Sequence, residues 1–551
     1  MGDIKFEKKE KIKGPETLHP YFEGLGEDKK LLVGSELEMM FMKRADKGFE
    51  LPSDFENFKL SEKINTPETD KQKTTAIHWT EEPGAHMGET VSSPYEKSDI
   101  NFINDQIVAN RAAIARVAHD LVVTKQDLDS EKVKIAAGVS ELVLPRRPLE
   151  QGQLFISPFS VVPFASPEEC QANIISARGH AGHYSDRPRR MMESFKYIMD
   201  PVAAAYPVTN VCVHTTHGVK DRRHGFEMSR MQAALMAYFF LITENRPPYQ
   251  KGSKERTLIN TAIESRRSLN LKTHFNKAQR GMFPDFLFMS KNENQFFDML
   301  IKTVLRTPMI SYFDHDGRFT PIRVGEVLTP GNMQGKGPEC VSQFSQAMSQ
   351  FWWSFKYKMP AGEGPSGLFH ELRDFDCSPE TITNVTMIMS MLALDDDARA
   401  EMFKTLDKKY GIPVMRDPVK AKIVIDKNIA GSFHRGDTRY HPDSEGRHMM
   451  IPFGSKGHTM LDFHRDLLHM LERHYKGTIM ESRLDDMRFK AQTGMTNTQL
   501  WYDAFASQKE QNKALIEMTE DPKAYYGLMN QSKSWAQLHD EGHMPYLKLK
   551  Q

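Results

Sequence analysis

The distribution of apolar and polar positions along the chain predicts short strands that alternate irregularly with helices. Residues 30–43 are rich in apolar side chains without a helix-length amphipathic period, and residues 211–215, 309–313 and 369–375 are shorter strand-like runs. Longer apolar or amphipathic stretches predict helices over residues 100–123, 188–199, 228–241 and 296–305. This irregular order favours an α+β fold over a doubly wound parallel sheet.

Composition divides the chain into three parts. Residues 1–28 are charged and are predicted to form a loose lead-in. Residues 29–404 hold the predicted elements of the main body, and a shift in composition near residues 405–425 predicts a boundary. Residues 405–551 are rich in histidine and mainly helical, and their pattern assigns them no role.

The charge balance and the cysteine pattern exclude several classes of partner. Lys+Arg and Asp+Glu are both 73 among 551 residues, so no global field attracts nucleic acid or an anionic membrane. The four cysteines are scattered without a Cys-x-x-Cys pair, as expected of free thiols in a reducing compartment. There is no signal-peptide pattern, and no apolar run approaches the roughly 20 residues of a membrane span. These features predict a cytoplasmic protein that binds small molecules, and neither nucleic acid nor membrane.

Glu36 and Glu38 are two carboxylates one residue apart within the predicted first strand. Side chains alternate along a strand, so both project from the same face. A solvated strand face would explain the spacing, but the neighbouring residues 39–42 are strongly apolar. Two like charges in such a setting are costly unless they face water or a cation. A divalent metal ion bound by hard oxygen ligands would resolve this conflict.

Two further clusters contain acidic residues with suitable spacing. Pro83-Gly84 forces a turn, so Glu82 and Glu89 could converge from the two sides of a hairpin, or form an acidic surface turn. In a strand, Glu371 and Arg373 share a face. They could form an ordinary surface pair, or a metal ligand beside a guanidinium whose planar donors bind phosphate.

Two segments resemble known binding motifs, one for phosphate and one for zinc, but neither match is complete. Residues 331–337 resemble a phosphate-binding loop, but they are one residue short and no Ser or Thr follows Lys336. In the C-terminal region His464, His469 and His474 are five residues apart, which does not match the HExxH helix of a zinc peptidase. We therefore expect any ATP to be held through carboxylate-bound magnesium, and these histidines to stabilise the structure.

Taken in order, the acidic clusters resemble the glutamate–cysteine ligases, nearest to their plant and proteobacterial branch. These enzymes belong to the wider superfamily of glutamine synthetase-like carboxylate–amine ligases. The first strand is similar to the family's Gly-x-Glu-x-Glu metal motif, and the turn that follows is similar to its Glu-Pro-Gly-Gly segment. The matching segments are Gly34-Ser35-Glu36-Leu37-Glu38, Glu82-Pro83-Gly84 with Glu89, His214 at a Gln or His position, Asn245-Arg246-Pro247-Pro248, Ser265-Arg266-Arg267-Ser268, Arg280-Gly281-Met282-Phe283-Pro284, and Glu371-Leu372-Arg373 with Asp376.

The resemblance implies a fold, a reaction and a set of cofactors. The fold would be α+β, with a mostly antiparallel sheet that forms a funnel-like active site, surrounded by helices, and an extra mostly helical C-terminal region. The reaction would join the side-chain carboxylate of glutamate to an amine, with cysteine as the default amine, through an acyl phosphate made from ATP. Two or three Mg²⁺ ions, with Mn²⁺ as a substitute, would bridge the ATP phosphates and the reacting carboxylate.

The resemblance also implies residue roles. Glu371, Arg373 and Arg267 would be catalytic, and Arg373 and Arg280 would contact the nucleotide. Arg267 and Asn245 would bind substrate. The implied metal ligands are Glu36, Glu38, Glu82, Glu89, His214 and Glu371.

The acceptor amine stays open, because Thr215-Thr216-His217 replaces the family's Asn-Leu-Asp. One alternative is a superfamily ligase with a different carboxylate or amine, including ammonia. Others are a metal-dependent hydrolase acting through the C-terminal histidines and a catalytically silent binding relative. A catalytically silent protein is disfavoured, because in both the Glu-x-Glu and the Glu-x-Arg pair the spacing still places the two side chains on one face of a strand. Helices after Met495 are expected to pack on the main body or on a second subunit, which would make the protein a homo-oligomer.

Overall fold

The computed structural model describes the parts of the chain that hold most of the predicted strands and the C-terminal helices. The described residues are 10–23, 32–46, 48–52, 78–81, 87–91, 95–96, 130–134, 141–145, 152, 154–156, 212–244, 283–306, 311–313, 319–321, 339–349, 351, 353–359, 368–376, 379–433 and 448–497. The predicted helices over residues 100–123 and 188–199 lie outside these ranges. So do the residues Glu82, Asn245, Arg267 and Arg280.

The described strands pair in antiparallel fashion. They are β1 (Leu32–Ala45), β2 (Gly48–Glu50), β3 (His78–Glu81), β4 (Met87–Val91), β5 (Tyr95–Glu96), β6 (Ser130–Lys134), β7 (Glu141–Pro145), β8 (Leu154–Ile156), β9 (Cys212–Val219), β10 (Ser311–Phe313), β11 (Phe319–Pro321), β12 (Phe355–Lys358), β13 (Leu368–Asp376), β14 (Pro452–Phe453) and β15 (His458–Thr459). A nine-stranded sheet has the order β12-β13-β9-β1-β4-β3, with β2, β5 and β8 also paired to β1. Three two-stranded sheets hold the remaining strands.

Helices follow the strands and dominate the described C-terminal part. They are α1 (Arg222–Ile242), α2 (Phe286–Met289), α3 (Glu293–Arg306), α4 (Val341–Ser349), α5 (Pro379–Leu394), α6 (Asp396–Thr405), α7 (Pro418–Phe433), α8 (Met460–Tyr475) and α9 (Asp485–Thr493). The α+β class predicted from the sequence is confirmed, as are the antiparallel sheet and the helical C-terminal region.

The predicted elements that lie within the described residues are present, with shifted ends. β1, β9, β10 and β13 correspond to the four predicted strands, and α1 and α3 to the predicted helices over residues 228–241 and 296–305. β9 continues to Val219 because its second half pairs with the first half of β13. α1 starts at Arg222 because Asp221 caps it, accepting a hydrogen bond from the backbone N–H of His224 at 2.7 Å.

One face of the large sheet is covered by α1. Ser229 Oγ lies 3.1 Å from His370 Nε2 on β13, and the hydroxyl of Tyr357 on β12 donates to the Gly225 carbonyl at 2.7 Å. Nearer the end of the helix, the rings of Phe239 and Phe375 are 5.2 Å apart. Because strand side chains alternate, the neighbours of these residues project from the opposite face, which carries the acidic clusters.

The first described residues are packed rather than loose. Two short 3₁₀ helices, Pro15–Thr17 and His19–Phe22, bring Leu18 and Phe22 into the core, where both side chains are fully buried. The ring of Phe22 lies 5.4 Å from that of Phe297. Burial of these two apolar side chains packs residues 10–23 against the core despite the charged composition around them, and the extent of the lead-in, residues 1–28, stays a prediction.

The described C-terminal helices share one core with the sheet and α1. The buried apolar cluster contains Phe239 and Phe375 together with Phe463 and Leu467 of α8. The boundary between residues 404 and 405 lies within α6 and stays a prediction. Among the described helices, none combines the length and apolar character needed to cross a bilayer.

Candidate functional site

The acidic clusters meet on one face of the large sheet. Antiparallel register places Glu36 of β1 opposite His214 of β9, and Glu38 opposite Glu89 of β4. On the other side of β9, Glu371 of β13 lies opposite Thr216. Since cross-strand partners share a face, these side chains project together, as the strand phase of each motif predicts.

Glu36 and His214 form a direct contact in this cluster. His214 Nδ1 lies 3.1 Å from Glu36 Oε2. The other ring nitrogen, Nε2, lies 3.9 Å from Glu38 Oε1 and has no hydrogen-bond partner within the described part of the chain. A buried ring nitrogen of this kind is costly unless it binds a proton donor or a metal ion.

Glu38 is fixed by the backbone of the neighbouring strand. Its Oε2 accepts a hydrogen bond from the backbone N–H of Cys212 at 2.7 Å, and its side chain is buried. The hairpin of β3 and β4 brings Glu89 to the register position beside it, with Thr80 on the far side. The convergence of Glu82 with Glu89 stays a prediction, because Glu82 lies outside the described residues.

Basic side chains border the acidic cluster on the β12 side. Lys358 Nζ forms ion pairs with both Glu36 Oε1 and Glu371 Oε2. Arg373 Nε lies 3.0 Å from Glu371 Oε1, so the predicted pair of Glu371 and Arg373 is present. Lys356 shares this face as the register partner of Glu371.

Burial and charge act against each other on these groups. Burial alone would raise the pKa of Glu36, but Lys358 and then His214 outweigh it and hold that pKa well below its usual range. Burial also opposes the charged forms of Glu371 and Lys358, yet their mutual attraction lowers the pKa of Glu371 and raises that of Lys358. For Lys356, burial dominates over the attraction of Glu371 and lowers its pKa to about 8.

Two groups of residues are close enough to hold a cation. Glu38, Glu89 and His214 form one group, and Glu36, His214 and Glu371 form the other, with the ligand atoms of each group within 4.8 Å of one another. Carboxylate oxygens suit Mg²⁺ or Mn²⁺, and an imidazole nitrogen is also acceptable to Mn²⁺. The first group fits a divalent ion, because His214 Nε2 has no hydrogen-bond partner among the described residues. In the second group, Lys358 already contacts both carboxylates.

Five of the six metal ligands implied by the family resemblance are therefore brought together, and Arg373 lies beside them. Lys358 and Lys356 are not among the site residues that the sequence predicts. The signal that could have found them is the strict alternation of aromatic and basic residues in Phe355-Lys356-Tyr357-Lys358, which is typical of a strand with one buried face.

Three described histidines of the C-terminal region, His464, His469 and His474, have separate contacts. His464 is buried and contacts the hydroxyl of Tyr238 at 2.8 Å and the Met487 carbonyl at 2.7 Å. His469 is 72% exposed beside Glu472, and His474 lies 3.1 Å from Asp395. Among these three histidines, only the contacts of His464 are fully buried, and the absence of a zinc site in this region stays a prediction.

Comparison with known proteins gave matches in structure and none in sequence. No protein-family model and no curated protein matches the chain. A glutamate–cysteine ligase from Francisella tularensis, solved in complex with AMP, has a TM-score of 0.46 and 12% identity, over 95% of this chain and 96% of that one. A bifunctional glutathione synthetase from Pasteurella multocida has a TM-score of 0.34 and 8% identity, over 91% of this chain and 51% of that one. At these scores the function has to be argued from the site itself.

Proposed function

We propose that this protein is an ATP-dependent carboxylate–amine ligase that forms a γ-glutamyl amide through an acyl phosphate. The observation that carries the proposal is the single sheet face on which four carboxylates and a histidine adjoin Lys358 and Arg373. Acidic ligands for a divalent ion beside fixed cations suit a substrate that is itself a metal–polyphosphate complex.

The proposed reaction has two steps. A carboxylate oxygen of glutamate attacks the γ-phosphorus of ATP, and the bond to the β-phosphate oxygen breaks to release ADP. The amine then attacks the acyl carbon, phosphate leaves, and the nitrogen loses a proton. Positioning and charge neutralisation supply most of the catalysis in such transfers.

Residues of this chain would divide that work. Mg²⁺, when bound by Glu38, Glu89 and His214, would neutralise phosphate charge and orient the nucleotide. Arg373 would stabilise the transferring phosphoryl group, because a guanidinium presents planar, charged donors. Glu371 holds Arg373 through the 3.0 Å contact with its Nε. Lys356 and Lys358 add positive charge on the same face.

Four further roles remain proposals from the family resemblance. Glu82 would complete the metal ligands, and Arg280 would bind phosphate. Arg267 and Asn245 would bind substrate. Cysteine is the default acceptor, and a different carboxylate or ammonia is the alternative within the same chemistry. Assembly into a homo-oligomer and a cytoplasmic location also remain proposals.

Hydroxylamine tests the reaction without knowledge of the natural amine. It captures an acyl phosphate as a hydroxamate, so purified protein with glutamate, Mg²⁺ and ATP should form glutamyl hydroxamate together with ADP. Transfer of ¹⁸O from the labelled glutamate carboxylate to phosphate should accompany it. We expect Glu38→Ala and Arg373→Ala each to reduce the rate by about a hundredfold or more, the usual cost of removing an electrostatic contact in the transition state.

Glu401→Ala is the matched control, because this residue is 50% exposed on α6 and pairs with Arg473. It should keep the full rate. Full ATP-dependent hydroxamate formation by both site variants would show the assignment to be wrong. Release of ADP with another carboxylate in place of glutamate would favour the superfamily alternative.

A further inference from the structure

His214 lies between the two candidate cation positions and is turned toward one of them. Its Nδ1 lies 3.1 Å from Glu36 Oε2. An ionised carboxylate only accepts hydrogen bonds, so Nδ1 carries the donated proton. A neutral imidazole then has its lone pair on Nε2, the atom on the Glu38 side. A carboxylate that holds one ring nitrogen of a metal-binding histidine is a common arrangement at metal sites.

The second position already contains a positive charge. Lys358 Nζ contacts Glu36 and Glu371 at the same time. The Glu371 side chain is completely buried and that of Glu36 is 12% exposed, so water screens their mutual repulsion poorly. The ammonium is a compact charge with three donors, which suits two carboxylates that face each other.

A divalent ion at this position would have to displace the ammonium. On the β12 side of this position, the described neighbours are two basic residues, Lys356 and Arg373. They provide no further carboxylate to bind a divalent ion. Displacement would therefore crowd three basic side chains beside a newly bound cation, which like-charge repulsion opposes.

We propose that Lys358 is a built-in cation that takes the place of one divalent ion, so that this cluster of described residues binds a single tight ion, at Glu38, Glu89 and His214 Nε2. Glu36 is then a positioning residue for His214 and a partner of Lys358. The identity of the ion, a hard divalent cation, rests on the proposed function. The resulting count differs from the two or three ions that the family resemblance implies.

The number of bound Mn²⁺ ions tests this assignment directly. Equilibrium dialysis of the full chain without nucleotide, with free Mn²⁺ measured by electron paramagnetic resonance, should give about one tight ion per chain. Lys358→Met frees two carboxylates and should raise the count to about two. Lys358→Arg keeps the charge and should leave it at about one.

Lys356→Met is the matched control, since it removes a lysine from the same strand face without releasing the Glu36–Lys358 contact. Its count should stay at about one. Glu38→Gln should abolish tight binding. Glu36→Gln should keep the count and weaken the affinity about 10- to 100-fold, as is usual for the loss of a residue that orients a ligand. Thermal unfolding of each variant confirms that it is folded.

Two results would overturn the proposal. One is a wild-type count of two or more tight ions, because the ammonium would then yield to the metal. The other is a folded Lys358→Met variant that binds no more Mn²⁺ than the wild type. Neither result depends on turnover. Failure of the ligase proposal would appear instead in the hydroxamate assay, with the Mn²⁺ counts intact.

Discussion

At the scale of single residues, the described structure buries charges in pairs at more than one place. Lys490 of α9 is completely buried, and its Nζ donates to Asp486 Oδ2 at 2.6 Å. The side-chain amide of Asn384 on α5 donates to the same oxygen at 2.7 Å. Such a pair adds little net stability, but removal of one partner leaves a charge in a medium that solvates it poorly.

Asp486→Ala should therefore be strongly destabilising. We expect a loss of about 3–5 kcal/mol in the free energy of unfolding, because the Lys490 ammonium would stay buried without its carboxylate. Urea denaturation measures this loss. Asp485→Ala is the control, since Asp485 is 47% exposed and pairs with Arg488 at 3.0 Å. A surface pair of that kind contributes about 0–1 kcal/mol. Similar losses for the two variants would contradict the argument.

At the scale of elements, α8 begins with a complete capping box. The hydroxyl of Thr459 accepts a hydrogen bond from the backbone N–H of Asp462 at 3.2 Å. The Asp462 carboxylate accepts in return from the backbone N–H of Thr459 at 2.8 Å. Together they satisfy donors that a helix end otherwise leaves unpaired, and they fix where α8 leaves β15.

Thr459→Ala should cost about 1 kcal/mol of unfolding free energy, the typical value for loss of an N-cap side chain. Denaturant midpoints of the two proteins measure the difference. Thr405→Ala is a suitable comparison, because Thr405 precedes Leu406–Tyr410 without a side-chain capping bond. No loss, or a gain, is expected there, since alanine favours helix. If Thr459→Ala were equally neutral, the capping box would not stabilise the domain.

The length and apolar character of each helix or strand determine how far the sequence predicts this site. β1 and α1 were predictable because each is long and strongly apolar, and the phase of β1 placed Glu36 and Glu38 on one face. β12 has only four residues, too few for the periodicity to distinguish a strand. The contact of Lys358 with Glu36 spans 322 residues and depends on the strand order β12-β13-β9-β1. Local periodicity contains no information on that order, so the basic border of the site could not be predicted.

At the scale of the whole molecule, α1 connects the site to the C-terminal helices. One side packs on the sheet, where Phe239 meets Phe375. The other packs on α8, where the ring of Tyr238 lies 5.0 Å from that of Phe463 and its hydroxyl contacts His464. Because α1 is buried between these layers, stability of the C-terminal helices is coupled to the strands that hold the carboxylates.

His464 makes this coupling sensitive to pH. Burial excludes the charged imidazolium and, despite the Met487 carbonyl, lowers the pKa of His464 from 6.5 to about 4. In the neutral form Nε2–H donates to Met487 and Nδ1 accepts from Tyr238, so both nitrogens are satisfied. The unfolded chain binds a proton near pH 6.5 and the folded chain near pH 4. The stabilisation is therefore complete above about pH 6.5 and is lost as the pH falls toward 4.

The unfolding free energy should decrease through His464 by about 2 kcal/mol between pH 7 and pH 5. Other buried histidines add to the total, so the measurement is the difference between variants. In urea titrations at both pH values, His464→Gln should lose about 2 kcal/mol less on acidification than the wild type. His469→Gln, on the same helix but 72% exposed, should lose as much as the wild type. Equal pH slopes for all three proteins would mean that the charge of His464 does not couple α8 to α1.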